Sequence, residues 1–234
     1  MSPANPTPTY ADLAGLIEYP LLAPDLSEED LARACDLAKS YELASIIVRP
    51  CDIDAAARWI GGSSVRLAAR LDGEHGDATT SVKTYAVRDL LRRGAREIDT
   101  VLNTGKLRSR QFQYLEMELL QIAEACHQAG AILKVSLESQ WLNEELTIVA
   151  CRILRRAGAD FAAGSSLDYI ALLKTNSRER LQLKSCGDAA ELDTALAFRQ
   201  AGCTRIECSH PAAILDDWNA RLAPQQTPHP TPAA

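Results

Sequence analysis

The chain has 234 residues, of which 47% are hydrophobic and 24% are charged, and its formal net charge is −6. This size and composition are typical of one globular α/β domain. The negative charge argues against a nucleic-acid partner, because such proteins usually carry a basic face or tail. The sequence has no run of apolar residues long enough to cross a bilayer, so we expect no membrane partner.

Both ends of the chain are rich in proline. We expect residues 1–9 and 223–234 to be disordered, with residues 10–222 forming a single domain. The N-terminal stretch lacks the basic and apolar regions of a secretory signal. The seven cysteines are an odd number without a disulfide pattern. They predict small core residues in a protein of the reducing cytoplasm.

Short runs of β-branched or apolar residues alternate with longer helical patterns. The first helix is predicted over Glu28–Tyr41, since Ser27 can cap it and its first turn is acidic. The eight predicted strands are Ile17–Leu22, Ala44–Val48, Val65–Leu71, Glu97–Leu102, Ile132–Leu137, Asp160–Ala163, Leu181–Ser185 and Thr204–Cys208. Further helices are predicted over Thr79–Arg93, Gln111–Ala129, Glu144–Arg156 after Asn143, and from Asp188 or Ala189 to Gly202.

A helix that closes with small residues and a glycine before a new strand recurs along the chain, as in QAGAILKVSL and QAGCTRIECS. This rhythm predicts right-handed strand–helix–strand crossovers and a parallel sheet. Eight strands in this length favour a closed (β/α)₈ TIM barrel of the α/β class. The absence of a GxGxxG turn after the first strand weakens an open dinucleotide-binding sheet.

In such barrels, chemistry takes place at the carboxyl ends of the strands. Three charged residues, Asp99, Lys134 and Lys184, stand among apolar strand neighbours and can face either the barrel interior or an outer ion pair. The polar residues at the predicted strand ends are Glu18, Tyr19, Arg49, Asp72, Glu74, His75, Asp99, Asn103, Lys134, Glu138, Ser165, Ser166, Lys184, Cys186, Glu207, Ser209 and His210.

Several segments together resemble the deoxyribose-phosphate aldolase family, from Leu13 to Ser209. They are LAGLIEYPLLAPDLSEEDL, IIVRPC, DATTSVK, GAREIDTVLNTGKL, LKVSLES, GADF, LKSCG and AGCTRIECS, in the family's order. The resemblance implies reversible aldol cleavage of a deoxysugar phosphate without a metal or cofactor. In that chemistry a neutral lysine forms an imine with the carbonyl, and the imine accepts electrons from the breaking bond.

The resemblance assigns catalytic and substrate-binding roles to residues that match the family's motifs. Asp99 matches its proton-relay aspartate, Lys184 its second active-site lysine and Lys134 the lysine of its fifth strand. Asn103 matches a polar residue of the fourth-strand loop. We take the first three as candidate catalytic residues and Asn103 as a candidate for substrate binding.

The family's imine-forming lysine is missing from this sequence. Ala163 stands at that position, and an alanine cannot form an imine. The loss also removes a like charge that would lower the pKa of Lys184. We therefore expect Lys184 to be more fully protonated, unless Lys134 supplies the missing repulsion.

Residues at the rim depart from the family's pattern. Its glycine-rich turn after the seventh strand, where backbone N–H groups approach a phosphate, here ends in Asp188, whose charge repels phosphate. Arg49 stands where the family has asparagine, and Glu18 where it has aspartate. Further candidates for substrate binding, taken from the strand ends, are Glu138, Ser165 and Ser209.

Three functions stay open on this reasoning. The first is a carbon–carbon lyase or related enzyme with a repurposed site, acting on a small carbonyl or sugar-like substrate, and a homodimer is possible. The second is an inactive barrel that serves as a binding or regulatory subunit, with Trp59, Trp141 and Trp218 as candidate surface residues. The third is a metal-dependent enzyme, for which the acceptable ligands are Asp72, Glu74, His75, Glu138, Cys186, Glu207, Cys208 and His210.

Overall fold

The computed structural model describes residues 7–73 and 75–223. Eight parallel strands form a closed barrel in sequence order, with the last strand paired to the first. The strands are β1 (Ile17–Leu21), β2 (Ser45–Val48), β3 (Arg66–Arg70), β4 (Glu97–Val101), β5 (Ile132–Ser136), β6 (Phe161–Gly164), β7 (Gln182–Ser185) and β8 (Cys203–Glu207). The predicted (β/α)₈ barrel is confirmed, and each predicted strand lies within one residue of an observed one.

Ten α-helices lie within the described residues. They are α1 (Tyr10–Ala14), α2 (Glu28–Ser40), α3 (Ile53–Trp59), α4 (Thr80–Arg92), α5 (Thr104–Arg108), α6 (Phe112–Gln128), α7 (Glu144–Ala157), α8 (Leu167–Ser177), α9 (Leu192–Ala201) and α10 (Pro211–Leu222). None of the described helices is long and apolar enough to span a bilayer.

Local chemistry explains where the helices begin and end. Ser27 and Asp30 form a reciprocal capping box at the start of α2, as the sequence predicts. Asn143 accepts a hydrogen bond from the backbone N–H of Leu146 and begins α7, and Gly158 ends it in the left-handed conformation. The caps set where each helix starts and ends, and the helix carries the chain back to the amino end of the barrel before the next strand.

One helix begins later than the sequence suggests. α9 starts at Leu192, whereas Asp188 or Ala189 is predicted to begin it. The backbone N–H of Ala189 instead donates to the carbonyl of Glu207 at 3.0 Å. This hydrogen bond holds Ala189 against the end of β8, and the helix begins three residues later, at Leu192.

The apolar core lies between the barrel and the surrounding helices. Outward-facing strand residues such as Ile46, Ile98, Leu133 and Ile206 are completely buried against the helix layer. Five of the seven cysteines are buried and all seven are free, which agrees with the prediction of small core residues. Because the apolar faces point outward, the inward-facing residues are left to fill the barrel and to form its site.

Candidate active site

Charged side chains fill the interior of the barrel. We call this set the interior ion network, which comprises the carboxylates Glu18, Glu97, Asp99 and Glu207 and the cations Arg70, Lys134, Lys184 and Arg205. Its members project from alternate positions of their strands, which point to one side of a sheet. The half-exposed Arg66 also approaches Glu97, at 3.5 Å. Each carboxylate of the network thus has a cationic partner, as burial of charge requires.

Lys184 lies at the centre of the network and is completely buried. Its ammonium group contacts the carboxylates of Asp99 and of Glu18, the latter at 2.9 Å, and Glu207 lies 3.6 Å away. Burial disfavours its charged form, but Asp99, Glu18 and Glu207 outweigh burial and hold the pKa of Lys184 well above its usual value. The amine is therefore protonated and is not a nucleophile at neutral pH.

Lys134 faces the interior as well. Its Nζ lies 2.8 Å from carboxylate oxygens of Glu18 and of Glu97, and 3.9 Å from Asp99. The sequence left open whether Lys134 faces inward or outward, and the structure decides for the interior. Lys134 thus shares the carboxylates of Glu18 and Asp99 with Lys184. Its presence does not leave the amine of Lys184 uncharged.

The two central carboxylates are held in their ionised form. Burial works against this, but Lys134 and Lys184 together lower the pKa of Glu18 to about 2. Asp99 is also buried, and Arg70, Lys184 and Lys134 lower its pKa below the usual range. Neither carboxylate can take up a proton near neutral pH, so both act as fixed negative charges.

Ala163 occupies the place beside these charges on β6. In the barrel register it pairs with Ser136 on one side and with Lys184 on the other, and it is completely buried. The hydroxyl of Ser136 is buried without a hydrogen-bond partner among the described residues. The methyl group of Ala163 is too short to reach the interior ion network, and the neighbouring Ser136 hydroxyl makes no hydrogen bond to the described residues.

At the carboxyl end of the barrel, Arg70 connects the network to solvent. Its side chain is 21% exposed, and its guanidinium lies 3.1 Å from Glu207 and 3.7 Å from Asp99. Burial raises the pKa of Glu207, and Lys184 only partly offsets this effect. A carboxyl group that can exchange a proton closer to neutrality thus lies against a partly exposed cation.

Arg70 also lines a pocket of about 550 Å³ at the carboxyl ends of β1, β2 and β3. This volume suits a small molecule. The pocket is lined by Leu22, Arg49, Pro50, Arg70, Leu71, Asp72 and Gly73. We call it the rim pocket, and its position agrees with the rule that barrel enzymes work at this face.

Arg49, a predicted substrate-binding residue, lines the rim pocket, and its guanidinium is hydrogen-bonded within the protein. That group donates to Asp52 at 2.6 Å and to the carbonyl oxygens of Ala23, Pro24 and Leu26 at 2.8 to 3.0 Å. Arg49 therefore fixes the loop between β1 and α2 and shapes one wall of the pocket.

Asn103 and Glu138 lie at the ends of β4 and β5, in contacts of their own. Asn103 accepts a hydrogen bond from the backbone N–H of Lys106 and so begins α5. Glu138 contacts the Nδ1 of His75 at 3.0 Å and accepts a hydrogen bond from Thr104 at 3.2 Å. Both predicted substrate-binding residues thus stabilise the loops at this end of the barrel.

The turn after β8 already holds an anion. The backbone N–H of Ser209 donates to the Asp188 carboxylate at 2.8 Å. Beside it, Gly187 passes so close to Ser165 that a Cβ on Gly187 would lie 2.3 Å from that residue's carbonyl oxygen. Asp188 thus occupies this backbone donor, and the close approach at Gly187 keeps the two turns together.

Sequence reasoning missed three members of the network: Arg70, Glu97 and Arg205. Glu97 lies two residues before Asp99, and Arg205 two residues before Glu207, so each pair shares a face of its strand. Charged residues at alternate positions of a buried strand were the available signal. Glu207 was noted as a polar residue at a strand end and as a possible metal ligand, but not as a catalytic candidate.

Two features bear on the alternatives that the sequence left open. Among the residues described, no group of three His, Cys, Asp or Glu side chains is placed to hold a metal ion, and Glu74 lies outside them. Of the tryptophans, Trp218 is buried, whereas Trp141 is 53% exposed. The metal alternative gains no support from these positions, and Trp141 alone fits the surface role.

Comparison with known sequences places these observations in a family. The sequence profile of the DeoC/LacD family aldolases matches residues 19–163. A deoxyribose-phosphate aldolase of Streptococcus sanguinis is 34% identical over 207 residues, which cover 85% of this chain and 93% of that protein. One of Treponema denticola is 32% identical and covers 87% of this chain and 98% of its own length.

Solved structures agree with the sequence relatives. An aldolase designated QR15 superposes with a TM-score of 0.84 at 27% identity, covering 90% of this chain and 97% of that chain. The deoxyribose phosphate aldolase of Aeropyrum pernix, described as tetrameric, gives a TM-score of 0.82 at 23% identity, covering 92% and 94%. At this lower identity the second likeness shows the fold alone.

Proposed function

The chain belongs to the DeoC/LacD aldolase family, whose named relatives are lyases, and we propose that it is an aldolase-like lyase with a repurposed active site. Its substrate is a small carbonyl or sugar-like compound other than deoxyribose 5-phosphate, bound in the rim pocket. The observation that carries the proposal is the contact between Arg70, which lines that pocket, and Glu207, whose pKa is raised.

Arg70 and Glu207 supply the chemistry in this proposal. A carboxylate of raised pKa takes the proton from the β-hydroxyl of the substrate as the adjacent carbon–carbon bond breaks. The electron pair of that bond moves onto the substrate carbonyl, and the Arg70 guanidinium stabilises the enolate oxygen that results. The Glu207 carboxyl then returns its proton to the enolate carbon, so that two carbonyl products leave.

Lys184, Lys134 and Asp99 take electrostatic roles instead of covalent ones. Lys184 is buried and held protonated by its carboxylate partners, so it does not attack a carbonyl. Its positive charge keeps Asp99 ionised, and Asp99 in turn contacts Arg70 at 3.7 Å. Asp99 and the two lysines are therefore positioning residues for Arg70 and Glu207.

The substrate lacks a phosphate at the position the family uses. Asp188 accepts the Ser209 N–H, so the turn offers a negative charge where a phosphate would need donors. We assign the protein to the cytoplasm, since all seven of its cysteines are free.

Proton exchange at the carbon next to a carbonyl tests the proposal. Wild-type protein should exchange these protons of a small ketone or aldehyde with deuterated water, followed by NMR, because enolate formation needs no second substrate. Glu207→Gln should reduce the rate at least a hundredfold, in line with loss of a general base. The exposed Glu191→Gln is the matched control and should leave the rate unchanged.

Borohydride reduction with the same carbonyl compounds tests the role of the lysines. Intact-mass analysis should find no adduct on the wild type, and Lys184→Arg, which keeps the charge but cannot form an imine, should retain exchange. An adduct that disappears in Lys184→Arg contradicts the proposal. Absence of both exchange and adduct with every carbonyl tried supports an inactive barrel that binds or regulates.

A further inference from the structure

A second large pocket lies among the described residues, on the opposite face of the barrel from the rim pocket. It has a volume of about 1050 Å³ and is lined by Glu116, Arg155, Arg156, Arg178 and Arg180. Arg155 and Arg156 end α7, and the other two arginines stand between α8 and β7. These segments lead into β6 and β7, so the pocket lies near the amino ends of the strands.

Four guanidinium groups and one carboxylate line this pocket, although the whole chain carries a net charge of −6. We propose that it is a binding site for a small oligophosphate, such as the triphosphate group of a nucleotide. Guanidinium groups bind phosphate through paired N–H donors, and several of them around one cavity match a ligand with several adjacent phosphates.

Two of the arginines are only partly committed to the protein. Arg155 donates to the carbonyl of Asn176 at 3.1 Å, which joins the ends of α7 and α8. Arg156 pairs with Glu116 at 2.9 Å, but its side chain is 66% exposed. Each therefore keeps donors that can turn towards a ligand without loss of the contact that orients it.

The other two arginines have no ion pair among the described side chains. Arg178 and Arg180 are both exposed. Cations near the last turn of a helix favour its dipole, which accounts for Arg155 and Arg156, but this effect fades beyond the last turn. α8 ends at Ser177 with Arg178 as its C-cap, so helix stability does not explain Arg180, two residues farther on.

The backbone at Arg178 supports a functional role. Its φ is +53° and its ψ is −163°, a conformation that residues with a side chain rarely adopt. Such strain is found preferentially at binding and active sites. At Arg178 the strained backbone begins the turn that carries both arginines, which form no ion pair with the side chains that the structure describes.

The lining residues favour the phosphates over the rest of a nucleotide. None of the five is aromatic, so none provides a ring on which a base can stack. Tripolyphosphate and ATP should therefore bind with similar affinity, and AMP at least tenfold more weakly. Binding should weaken as salt is added, because exposed charges are screened.

Equilibrium dialysis of tripolyphosphate, ATP and AMP against the full-length protein tests the site. Arg178→Gln combined with Arg180→Gln should weaken tripolyphosphate binding at least tenfold. Glu116→Gln should strengthen it severalfold, since it releases Arg156 and removes the carboxylate that lines the pocket among the described side chains. Arg178 and Arg180 are exposed and the Glu116 side chain is 28% exposed, and circular dichroism checks that the variants fold.

A second arginine group on the same molecule provides the control. Arg88, Arg92 and Arg96 line a smaller pocket, of about 560 Å³, between α4 and α6. Arg88→Gln combined with Arg92→Gln removes the same charge and should change the dissociation constant less than twofold. Equal weakening by the two double variants, or no binding of tripolyphosphate at millimolar concentration, overturns the proposal.

Discussion

Ala163 lies directly beside Lys184 in the register that pairs β6 with β7, and both residues are completely buried. With only a methyl group next to it, Lys184 meets no like charge from β6. Its neighbours are instead the carboxylates of Asp99 and Glu18, which hold its pKa well above the usual value. The expectation of a more fully protonated Lys184 agrees with this arrangement.

Replacing Ala163 with lysine should create an imine-forming amine. The new ammonium group would stand beside that of Lys184, and repulsion between like charges lowers a lysine pKa towards neutrality. We expect a borohydride-trapped adduct with small aldehydes in Ala163→Lys, detected by intact mass and mapped to position 163.

Ala163→Met is the control for this variant, because methionine adds similar length without an amine. It should give no adduct. Ala163→Lys should not recover full cleavage of deoxyribose 5-phosphate, since Asp188 still occupies the Ser209 N–H. Full recovery from the single change, or robust cleavage by the wild type, would show that the phosphate turns still work.

Removing the Asp188 carboxylate should open the turn after β8 to phosphate. In Asp188→Gly the Ser209 N–H becomes free to donate to an anion, and a local negative charge disappears. A hydrogen bond to a charged group contributes about 1.5–3 kcal/mol. We therefore expect inorganic phosphate to bind at least tenfold more tightly, as measured by calorimetric titration.

The nearby Glu191→Gln variant separates a specific effect from a general one. Glu191 is exposed and makes no side-chain capping bond at the start of α9. Its removal should change phosphate affinity less than twofold. If the two variants tighten phosphate binding equally, net charge alone accounts for the gain.

Neutralising Glu18 should destabilise the fold strongly. Its carboxylate pairs with Lys134 at 2.8 Å and with Lys184 at 2.9 Å inside the barrel. Breaking a buried ion pair on one side costs about 3–5 kcal/mol. Urea unfolding should show a loss of this order in Glu18→Gln, with Lys134 and Lys184 left partly uncompensated.

The surface pair of Glu29 and Arg33 is the comparison. Both side chains are largely exposed, so Glu29→Gln should cost no more than about 1 kcal/mol. A Glu18→Gln variant as stable as Glu29→Gln would mean that the barrel interior is hydrated or that the network rearranges freely.

Stability should fall steeply in acid. The pKa of Glu18 is about 2 in the folded chain and about 4.3 in an unfolded one. The pKa of Asp99 is likewise lowered. A lowered pKa gives stability that is present above the unfolded value and lost as pH falls towards the folded value.

The two other shifted groups set the rest of the profile. Lys184 has a raised pKa, so its contribution is complete at neutral pH and is lost only in strong alkali. Glu207, also raised, opposes the carboxylates by favouring the fold slightly as it is protonated. The midpoint of thermal unfolding, measured between pH 7 and pH 3, should fall below about pH 4.5. The fall should be smaller in Glu18→Gln. A wild-type midpoint that stays constant over this range would refute the lowered pKa of Glu18.

The sequence alone predicted the eight strands, the barrel and both ends of four of the ten described helices, α2, α4, α6 and α7, because each depends on local signals. Apolar runs, capping residues such as Ser27 and Asn143, and glycines at helix ends act within a few neighbours. It also singled out Asp99, Lys134 and Lys184 as charges set in apolar strands, and the family resemblance made them catalytic candidates.

Only the tertiary structure decided what those charges do. Barrel closure brings Glu18 of the first strand, Asp99 of the fourth and Lys184 of the seventh into contact, over separations that no local pattern encodes. The pKa of each group depends on its charged neighbours and on its burial, so the protonation states could not be derived from the sequence. For the same reason Arg70, which joins Glu207 to the rim pocket, became visible only when the strands closed.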